Sequence, residues 1–206
     1  MNMKFLCTSD LHGVIPTEMK NVVKRINPDG ILYAGDYAPH VWDEGKLEEV
    51  LEFIVSLHVP VYSVFGNMDP EKEYFESFEK NHENFHFIHA KRVKVGDLFI
   101  VGVGDYYSDP FSIEKFENLV KQSPENTIVV SHYPPYGVLD MTTTGENAGK
   151  IELKNVLDKY RPLVFLCGHI HESAGISKIG RTTVINTAMK LLLLEVENGQ
   201  VHASLA

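Results

Sequence analysis

Residues 30–36 read Gly-Ile-Leu-Tyr-Ala-Gly-Asp, an apolar run that ends in a glycine and a carboxylate. A short apolar run bounded by turn residues predicts a buried β-strand. Here the strand ends before Gly35, and Asp36 follows directly. Four more apolar runs end in short polar loops, which are Ser9-Asp10-Leu11-His12, Gly66-Asn67-Met68-Asp69, Ser131-His132-Tyr133-Pro134 and Gly168-His169-Ile170-His171.

The first half of the chain alternates predicted strands with predicted helices. The strands cover residues 4–8, 30–34 and 61–65, and the helices cover residues 18–26, 46–57 and 71–80. Strands joined by helical crossovers pair in parallel. The second half adds short strands, helices over residues 112–122 and 151–160, and a hairpin whose turn is Glu197-Asn198-Gly199. Two sheets packed face to face, with helices outside each, would account for this order within one domain, residues 1–206.

The five loops hold seven candidate metal ligands, namely Asp10, His12, Asp36, Asn67, His132, His169 and His171. In open sheets of parallel strands, ligands bind beyond the carboxyl ends of the strands, so these side chains are expected to meet at one edge. Carboxylate, carboxamide and imidazole ligands suit two divalent metals of the Mn²⁺, Fe²⁺/³⁺, Zn²⁺ or Ni²⁺ kind. The absence of a thiolate argues against a structural zinc site.

The composition limits the partners of the protein. A net charge of −9 disfavours generic binding to nucleic acid, which requires a basic surface. No apolar run approaches the length of a membrane span, and the amino terminus leaves no room for a signal peptide, so we expect a cytoplasmic protein with a small-molecule substrate. Cys7 and Cys167 lie inside apolar runs and are predicted to be buried thiols. A homo-oligomer is left open.

The order of the five motifs is more informative than any one of them, since each alone is equally consistent with an ordinary turn. Asp-x-His, Gly-Asp, Gly-Asn-x-Asp, an isolated His and Gly-His-x-His follow one another, and in this the chain resembles the calcineurin-like metallophosphoesterases from Met3 to about Ala188. The resemblance implies a four-layer αββα sandwich, with two mixed β-sheets packed face to face and helices outside. Within the second half, the chain is similar to a prokaryotic, Icc-type branch over residues 132–137, 168–175 and 179–182.

The resemblance also implies a role for each candidate ligand. Asp10, His12 and His171 match the ligands of a first metal, and Asn67, His132 and His169 match those of a second. Asp36 matches the carboxylate that bridges both metals, where a shared anion offsets the repulsion between two cations. A hydroxide shared by the metals would attack the phosphate ester. We expect Asp36, Asn67 and His132 to act directly in catalysis.

Met68 departs from the commonest family pattern, in which a histidine follows the asparagine and protonates the leaving oxygen. A thioether cannot donate a proton, and general acid catalysis is typically worth about 10²–10⁴-fold. The departure favours phosphodiester or activated phosphate ester substrates over plain monoesters. Tyr37, His40 and Tyr133 are candidate substitutes for the missing acid.

Several alternatives stay open at this point. A phosphomonoesterase or nucleotide phosphatase is the second enzymatic hypothesis, and a non-catalytic scaffold on the same fold is a third. Asp69 either orients a ligand side chain or forms a plain turn, Asn186 either holds the metal loops or sits in a turn, and residues 136–150 form either a lid or an uninvolved loop. Most of the histidines outside the motifs are predicted to lie at the surface; these are His58, His82, His86, His89 and His202.

Overall fold

The computed structural model describes residues 2–110 and 112–206, in which twelve β-strands and five α-helices are found. The strands are β1 (Asn2–Thr8), β2 (Gly30–Tyr33), β3 (Val61–Ser63), β4 (Phe85–Phe87), β5 (Arg92–Val95), β6 (Leu98–Val103), β7 (Thr127–Ser131), β8 (Val164–Cys167), β9 (Gly175–Ile179), β10 (Thr182–Asn186), β11 (Leu192–Glu197) and β12 (Gln200–Leu205). The helices are α1 (Met19–Ile26), α2 (Glu44–Val55), α3 (Lys72–Asn81), α4 (Ser112–Val120) and α5 (Ile151–Tyr160).

The strands of the described residues form two mixed sheets of six strands each. The first sheet has the order β12-β11-β1-β2-β3-β4, and its strands β1 to β4 are parallel. The second has the order β5-β6-β7-β8-β10-β9, and its four central strands are parallel. Antiparallel strands lie at one edge of the first sheet (β11 and β12) and at both edges of the second (β5 and β9). The predicted hairpin turn Glu197-Asn198-Gly199 joins β11 to β12.

Alternation along the strands places the core in three layers. In β2, Ile31 packs in the cluster that α1, α2 and α3 cover, whereas the next residue, Leu32, packs in the cluster shared by the two sheets. Successive side chains on a strand point to opposite faces, so one strand supplies both layers. A third cluster joins the outer face of the second sheet to α4 and α5. The four-layer αββα sandwich is therefore confirmed.

The sheet topology explains why the five motifs converge. Strands β1, β2 and β3 are parallel neighbours, and so are β7 and β8, so the loops that follow them leave each sheet at one end. The two sheets stack through the cluster that contains Phe5, Leu32, Ile128 and Leu166. None of the helices in the described part of the chain is long and apolar enough to cross a bilayer.

Both cysteines are free and buried, as predicted, and burial raises the pKa of each thiol. The prediction that His89 lies at the surface is wrong, because the side chain is only 5% exposed. Its Nδ1 accepts a hydrogen bond from the N–H of Gly104 at 2.9 Å. The alternation Phe85, Phe87, His89 places this imidazole on the buried face of the β4 segment.

Helix α2 begins two residues earlier than the apolar pattern predicts, because Asp43 caps it. The Asp43 carboxylate accepts a hydrogen bond from the N–H of Lys46 at 3.2 Å. This bond satisfies one of the free N–H groups in the first turn.

We predict that Asp43→Ala lowers the free energy of unfolding by about 1 kcal/mol, which is the usual cost of a lost N-cap. Asp43→Asn keeps an acceptor at the same position and is the matched control. Urea denaturation of the three proteins measures the effect. If both variants lose the same free energy of unfolding, the loss comes from the missing charge and not from the missing cap.

Candidate metal centre

Four of the seven candidate ligands have a left-handed backbone. The φ angles are 56° for Asp10, 47° for His12, 61° for Asp36 and 71° for His169. Few residues other than glycine adopt this region, although Asp and His do so more often than most. Each such conformation costs on the order of 1–3 kcal/mol unless the surroundings impose it, and such residues cluster at functional sites. The four candidate ligands at these strand ends therefore have a strained backbone conformation.

Two glycines lie directly against candidate ligands. A Cβ atom on Gly66 would collide with the carboxylate of Asp36 and would lie 2.6 Å from Cε1 of His132. A Cβ atom on Gly168 would collide with the carboxylate of Asp10. These positions require glycine because the side chains from the neighbouring strands fill the space beside them.

The first group of candidate ligands comprises Asp10, His12 and His171, whose ligand atoms all lie within 4.8 Å of one another. The Nε2 atoms of the two histidines are 3.2 Å apart. Oδ1 of Asp10 lies 3.5 Å from Nε2 of His171 and 4.0 Å from Nε2 of His12. Residues from both halves of the chain thus meet in one cluster.

The second group comprises Asp36, His132 and His169, which also lie within 4.8 Å of one another. Asn67 adds a carboxamide, because its Oδ1 lies 2.8 Å from Nε2 of His132. The rings of His132 and His169 are 5.0 Å apart between centroids. All seven predicted residues are therefore brought to one edge of the sandwich.

Asp36 reaches both groups. Its Oδ2 lies 3.9 Å from Nε2 of His12 in the first group and 3.6 Å from Nε2 of His132 in the second. A single carboxylate oxygen thus faces one imidazole from each group. This placement is compatible with a carboxylate shared by two cations.

The histidine tautomers leave lone pairs facing the centre. Nδ1 of His12 lies 3.2 Å from the carbonyl oxygen of Ala38, and Nδ1 of His132 lies 2.8 Å from that of Ala34. Each Nδ1–H donates to its carbonyl, so each Nε2 carries a lone pair, which is the usual arrangement for metal-binding imidazoles. Nε2 of His132 then faces the carbonyl oxygen of Asn67, and two lone pairs at 2.8 Å repel unless a cation lies beside them. The residues therefore fit a divalent metal in each group.

The pKa shifts favour the neutral imidazole at His169 and His12, whereas the hydrogen bond to Asp10 raises the pKa of His171. Burial lowers the pKa of His169 to about 3, and the neighbouring His132 adds to the effect. Burial likewise lowers the pKa of His12, although Asp36 opposes it. Burial is the largest influence on Asp10 and disfavours its ionisation, but the hydrogen bond to His171, the charge of His132 and the hydrogen bonds from Ser9 and the N–H of His169 together leave the pKa of Asp10 below its usual value. Metal binding requires neutral imidazole and ionised carboxylate.

Asp69 anchors two of the loops. Its Oδ1 accepts hydrogen bonds from the N–H groups of Tyr37 and Ala38 at 2.7 and 2.9 Å. Its Oδ2 accepts from the N–H groups of Asp36 and Gly66 at 2.8 and 2.9 Å. Asp69 therefore holds the backbone that carries Asp36. All four of these donors are backbone N–H groups, so Asp69 orients a ligand through its backbone and does more than form a local turn.

The substitutes considered for the missing acid differ in their placement. The hydroxyl of Tyr37 is buried and lies 2.6 Å from Oγ of Ser63, so Tyr37 cannot serve the site. The hydroxyl of Tyr133 donates to Oδ1 of Asp105 at 3.0 Å, and burial raises the pKa of Tyr133. His40 is exposed and stacks on His12 with the ring centroids 3.9 Å apart.

Asn186 holds the last motif in place. Its Nδ2 donates to the carbonyl oxygen of Ile170 at 2.9 Å, between His169 and His171, and to that of Leu139 at 3.0 Å. The loop of residues 136–150 is tied to the same region, because Oγ of Ser173 donates to the carbonyl oxygen of Met141 at 2.7 Å.

The motif order alone missed several residues around the centre. Asp105, Tyr107 and Lys150 surround Tyr133 but belong to no motif. Nothing in their local sequence distinguishes them from surface residues. Only the packing of the second sheet brings them together.

Comparison with known proteins assigns the family. The model for calcineurin-like phosphoesterases matches residues 3–173, and the chain therefore belongs to this family of hydrolases that act on phosphate esters. The uncharacterized protein MJ1162 of Methanocaldococcus jannaschii is 29% identical over 207 residues, which cover 91% of this chain and 89% of the relative. The resemblance in the motif order is thus confirmed.

Two solved structures share the fold at low sequence identity. The structure of TT1561 of Thermus thermophilus has a TM-score of 0.73 and 14% identity, and covers 100% of this chain and 99% of that one. A dimetal phosphatase from Danio rerio has a TM-score of 0.64 and 11% identity, with coverage of 95% and 93%.

We predict that Asp69→Asn lowers the free energy of unfolding by on the order of 3 kcal/mol, because two N–H groups lose their acceptor and each unpaired buried donor costs about 1–3 kcal/mol. Retention of metal during dialysis should fall as well, since the backbone of Asp36 loses its anchor. Urea denaturation and elemental analysis measure the two effects.

The matched control is Asp29→Asn. Asp29 is exposed and accepts a single backbone N–H, from Lys4 at 2.8 Å, far from the centre. It should lose about 1 kcal/mol or less, and no metal. An Asp69→Asn protein with the stability and metal content of the control would show that the four bonds do not organise the site.

Proposed function

We propose that the protein is a phosphoesterase that uses two divalent metals. Asp10, His12 and His171 hold one metal, Asn67, His132 and His169 hold the other, and Asp36 binds both. The observation that carries this proposal is the position of Asp36, whose Oδ2 lies within 4 Å of one imidazole from each group. The similarity of the fold to a dimetal phosphatase from Danio rerio supports it.

The residues of the chain have separate tasks in this proposal. When bound, the two metals neutralise the phosphoryl oxygens and lower the pKa of a water to near 7, which supplies a nucleophile at neutral pH. His12 and His132 are held by their Nδ1–H bonds to backbone carbonyls, so their Nε2 lone pairs stay aimed at the centre. Asp36 is oriented by the N–H of Met68, which donates to its Oδ1 at 2.9 Å. The site is therefore organised before substrate arrives.

The proposed substrate is a small phosphodiester or an activated phosphate ester. Met68 is half-buried beside Asn67 and cannot protonate a leaving oxygen, so esters with good leaving groups react best. A phosphomonoesterase or nucleotide phosphatase is the alternative substrate class. Manganese as the native metal and a cytoplasmic location belong to the same proposal.

A direct test uses bis(p-nitrophenyl) phosphate with the Mn²⁺-loaded protein. Hydrolysis should be detectable and should disappear with EDTA. If protein loaded separately with Mn²⁺, Ni²⁺, Co²⁺ and Zn²⁺ hydrolyses no phosphate ester, a non-catalytic scaffold becomes the better account.

Asp36→Asn should weaken both metals and reduce hydrolysis by at least about a hundredfold, because the shared charge is lost from two cations. Elemental analysis after Mn²⁺ loading should give two metals for the wild type and fewer for the variant. Asp97→Asn changes the same charge in an exposed turn and serves as control. Activity within a few-fold of wild type in Asp36→Asn, or a single metal in the wild type, contradicts the bridging role.

Met68→His should raise the rate for alkyl phosphates by about tenfold and the rate for p-nitrophenyl esters much less, because an alkoxide needs a proton and a nitrophenolate hardly does. The metal content must be unchanged, since a new imidazole could bind metal itself. Met68→Leu keeps the apolar volume and is the control. A uniform loss on all esters in Met68→His would mean that Met68 only lines the site, and would remove the preference for activated substrates.

A further inference from the structure

Lys150 is a cation without an anionic partner beside the metal centre. Its Nζ lies 4.5 Å from the ring centroid of Tyr133 and 4.8 Å from that of Tyr107. Within residues 2–110 and 112–206, this ammonium makes no hydrogen bond and no ion pair with a carboxylate. Although the net charge of the chain is −9, the contacts recorded for this ammonium are the two aromatic faces.

The position of Lys150 is fixed relative to the second group of ligands. Its N–H donates to the carbonyl oxygen of Pro134 at 2.9 Å, and its own carbonyl accepts from the N–H of Tyr136 at 3.1 Å. These bonds tie the backbone of Lys150 to the loop that follows His132. The ring of Tyr133, which supports the ammonium, lies edge-on to His169 with the centroids 4.7 Å apart.

The two rings that support Lys150 are themselves held in place. The hydroxyl of Tyr133 donates to Asp105, and Tyr107 stacks on Tyr106 with the centroids 5.1 Å apart. Cation–π contacts to two rings offset part of the entropy lost when a lysine side chain is ordered. The ammonium is therefore positioned in advance, with its N–H donors still free for an anion.

We propose that Lys150 binds an anionic oxygen of the substrate, and that Tyr107 and Tyr133 position its ammonium for this contact. The inference rests on the proposed function, because it concerns the substrate of the same site. The anionic oxygen belongs either to the phosphate that is cleaved or to a second group on the ester, such as a carboxylate or another phosphate. A lysine ammonium acts on either as a point charge.

The test compares three variants. Lys150→Met keeps the apolar stem against the tyrosine rings and removes the charge. Lys150→Arg keeps the charge. Lys154→Met is the matched control. It removes the same charge from the first turn of α5, four residues after Lys150, where Lys154 forms an ion pair with Asp158. Thermal unfolding shows that each variant is folded.

Two measurements are made on Mn²⁺-loaded protein. Calorimetry gives the Kd for inorganic phosphate, which reports binding without turnover. Rates on p-nitrophenyl phenyl phosphate and on its carboxyphenyl analogue give kcat/KM for two esters that differ by one carboxylate.

Lys150→Met should weaken phosphate binding or lower kcat/KM by about tenfold. Lys150→Arg should lose less than Lys150→Met, because it keeps the charge in a different geometry, and Lys154→Met should change either by less than about twofold. A loss on phosphate and on both esters assigns the contact to the cleaved phosphate. A loss confined to the carboxylated ester assigns it to a second anionic group.

The inference is overturned if Lys150→Met leaves the Kd and both rates unchanged, or if Lys154→Met has the same effect as Lys150→Met. If the wild type hydrolyses neither ester but Lys150→Met still weakens phosphate binding, the anion site stands and the proposed hydrolytic function fails. The two failures are thus distinguishable.

Discussion

The centre depends on one carboxylate that binds no candidate ligand side chain. Asp69, in the loop after β3, accepts four backbone N–H groups, three of them from the loop after β2. These N–H groups point inward because the chain turns sharply at Asp36, and without an acceptor each would be a buried unpaired donor. The anchor holds the backbone at Asp36, which has a left-handed conformation there and carries the carboxylate that lies between the two histidine groups.

The same arrangement concentrates negative charge at one edge of the sandwich. Burial raises the pKa of Asp36, and burial together with the Asp36 carboxylate raises the pKa of Asp69 to about 7, while its hydrogen bonds from Gly66 and Ala38 act in the opposite direction. Asp10 lies in the same cluster and interacts unfavourably with Asp36. Buried carboxylates at this density repel one another unless cations lie among them. Metal binding at this edge would therefore stabilise the folded chain as well as equip it for chemistry.

The strands and the candidate ligands could be predicted from the sequence, because they depend on local periodicity and on side-chain chemistry. Apolar runs ending in Gly35 and Gly168 placed the strands, and parallel pairing then brought the loops together. The role of Asp69 could not be predicted, because three of its four partners are backbone N–H groups 31 to 33 residues away. The burial of His89 was missed although it continues the alternation of Phe85 and Phe87, because an imidazole is not itself apolar and is predicted to lie at the surface. The position of Lys150 near the centre could not be predicted, because it depends on the packing of its side chain on Tyr133.

Met68 and Lys150 both lie next to candidate ligands of the second group. Asn67 precedes Met68, and Tyr133 joins Lys150 to His169. A thioether removes the proton that would neutralise a departing oxygen, so on the proposed function that oxygen leaves as an anion. Fixed positive charge in a partly buried site can stabilise such an anion without any proton transfer, because the charge is already oriented and no solvent must reorganise. On the proposed function, a site with fixed positive charge in place of a proton donor would select leaving groups by their stability as anions, which would favour activated esters and phosphodiesters with good leaving groups.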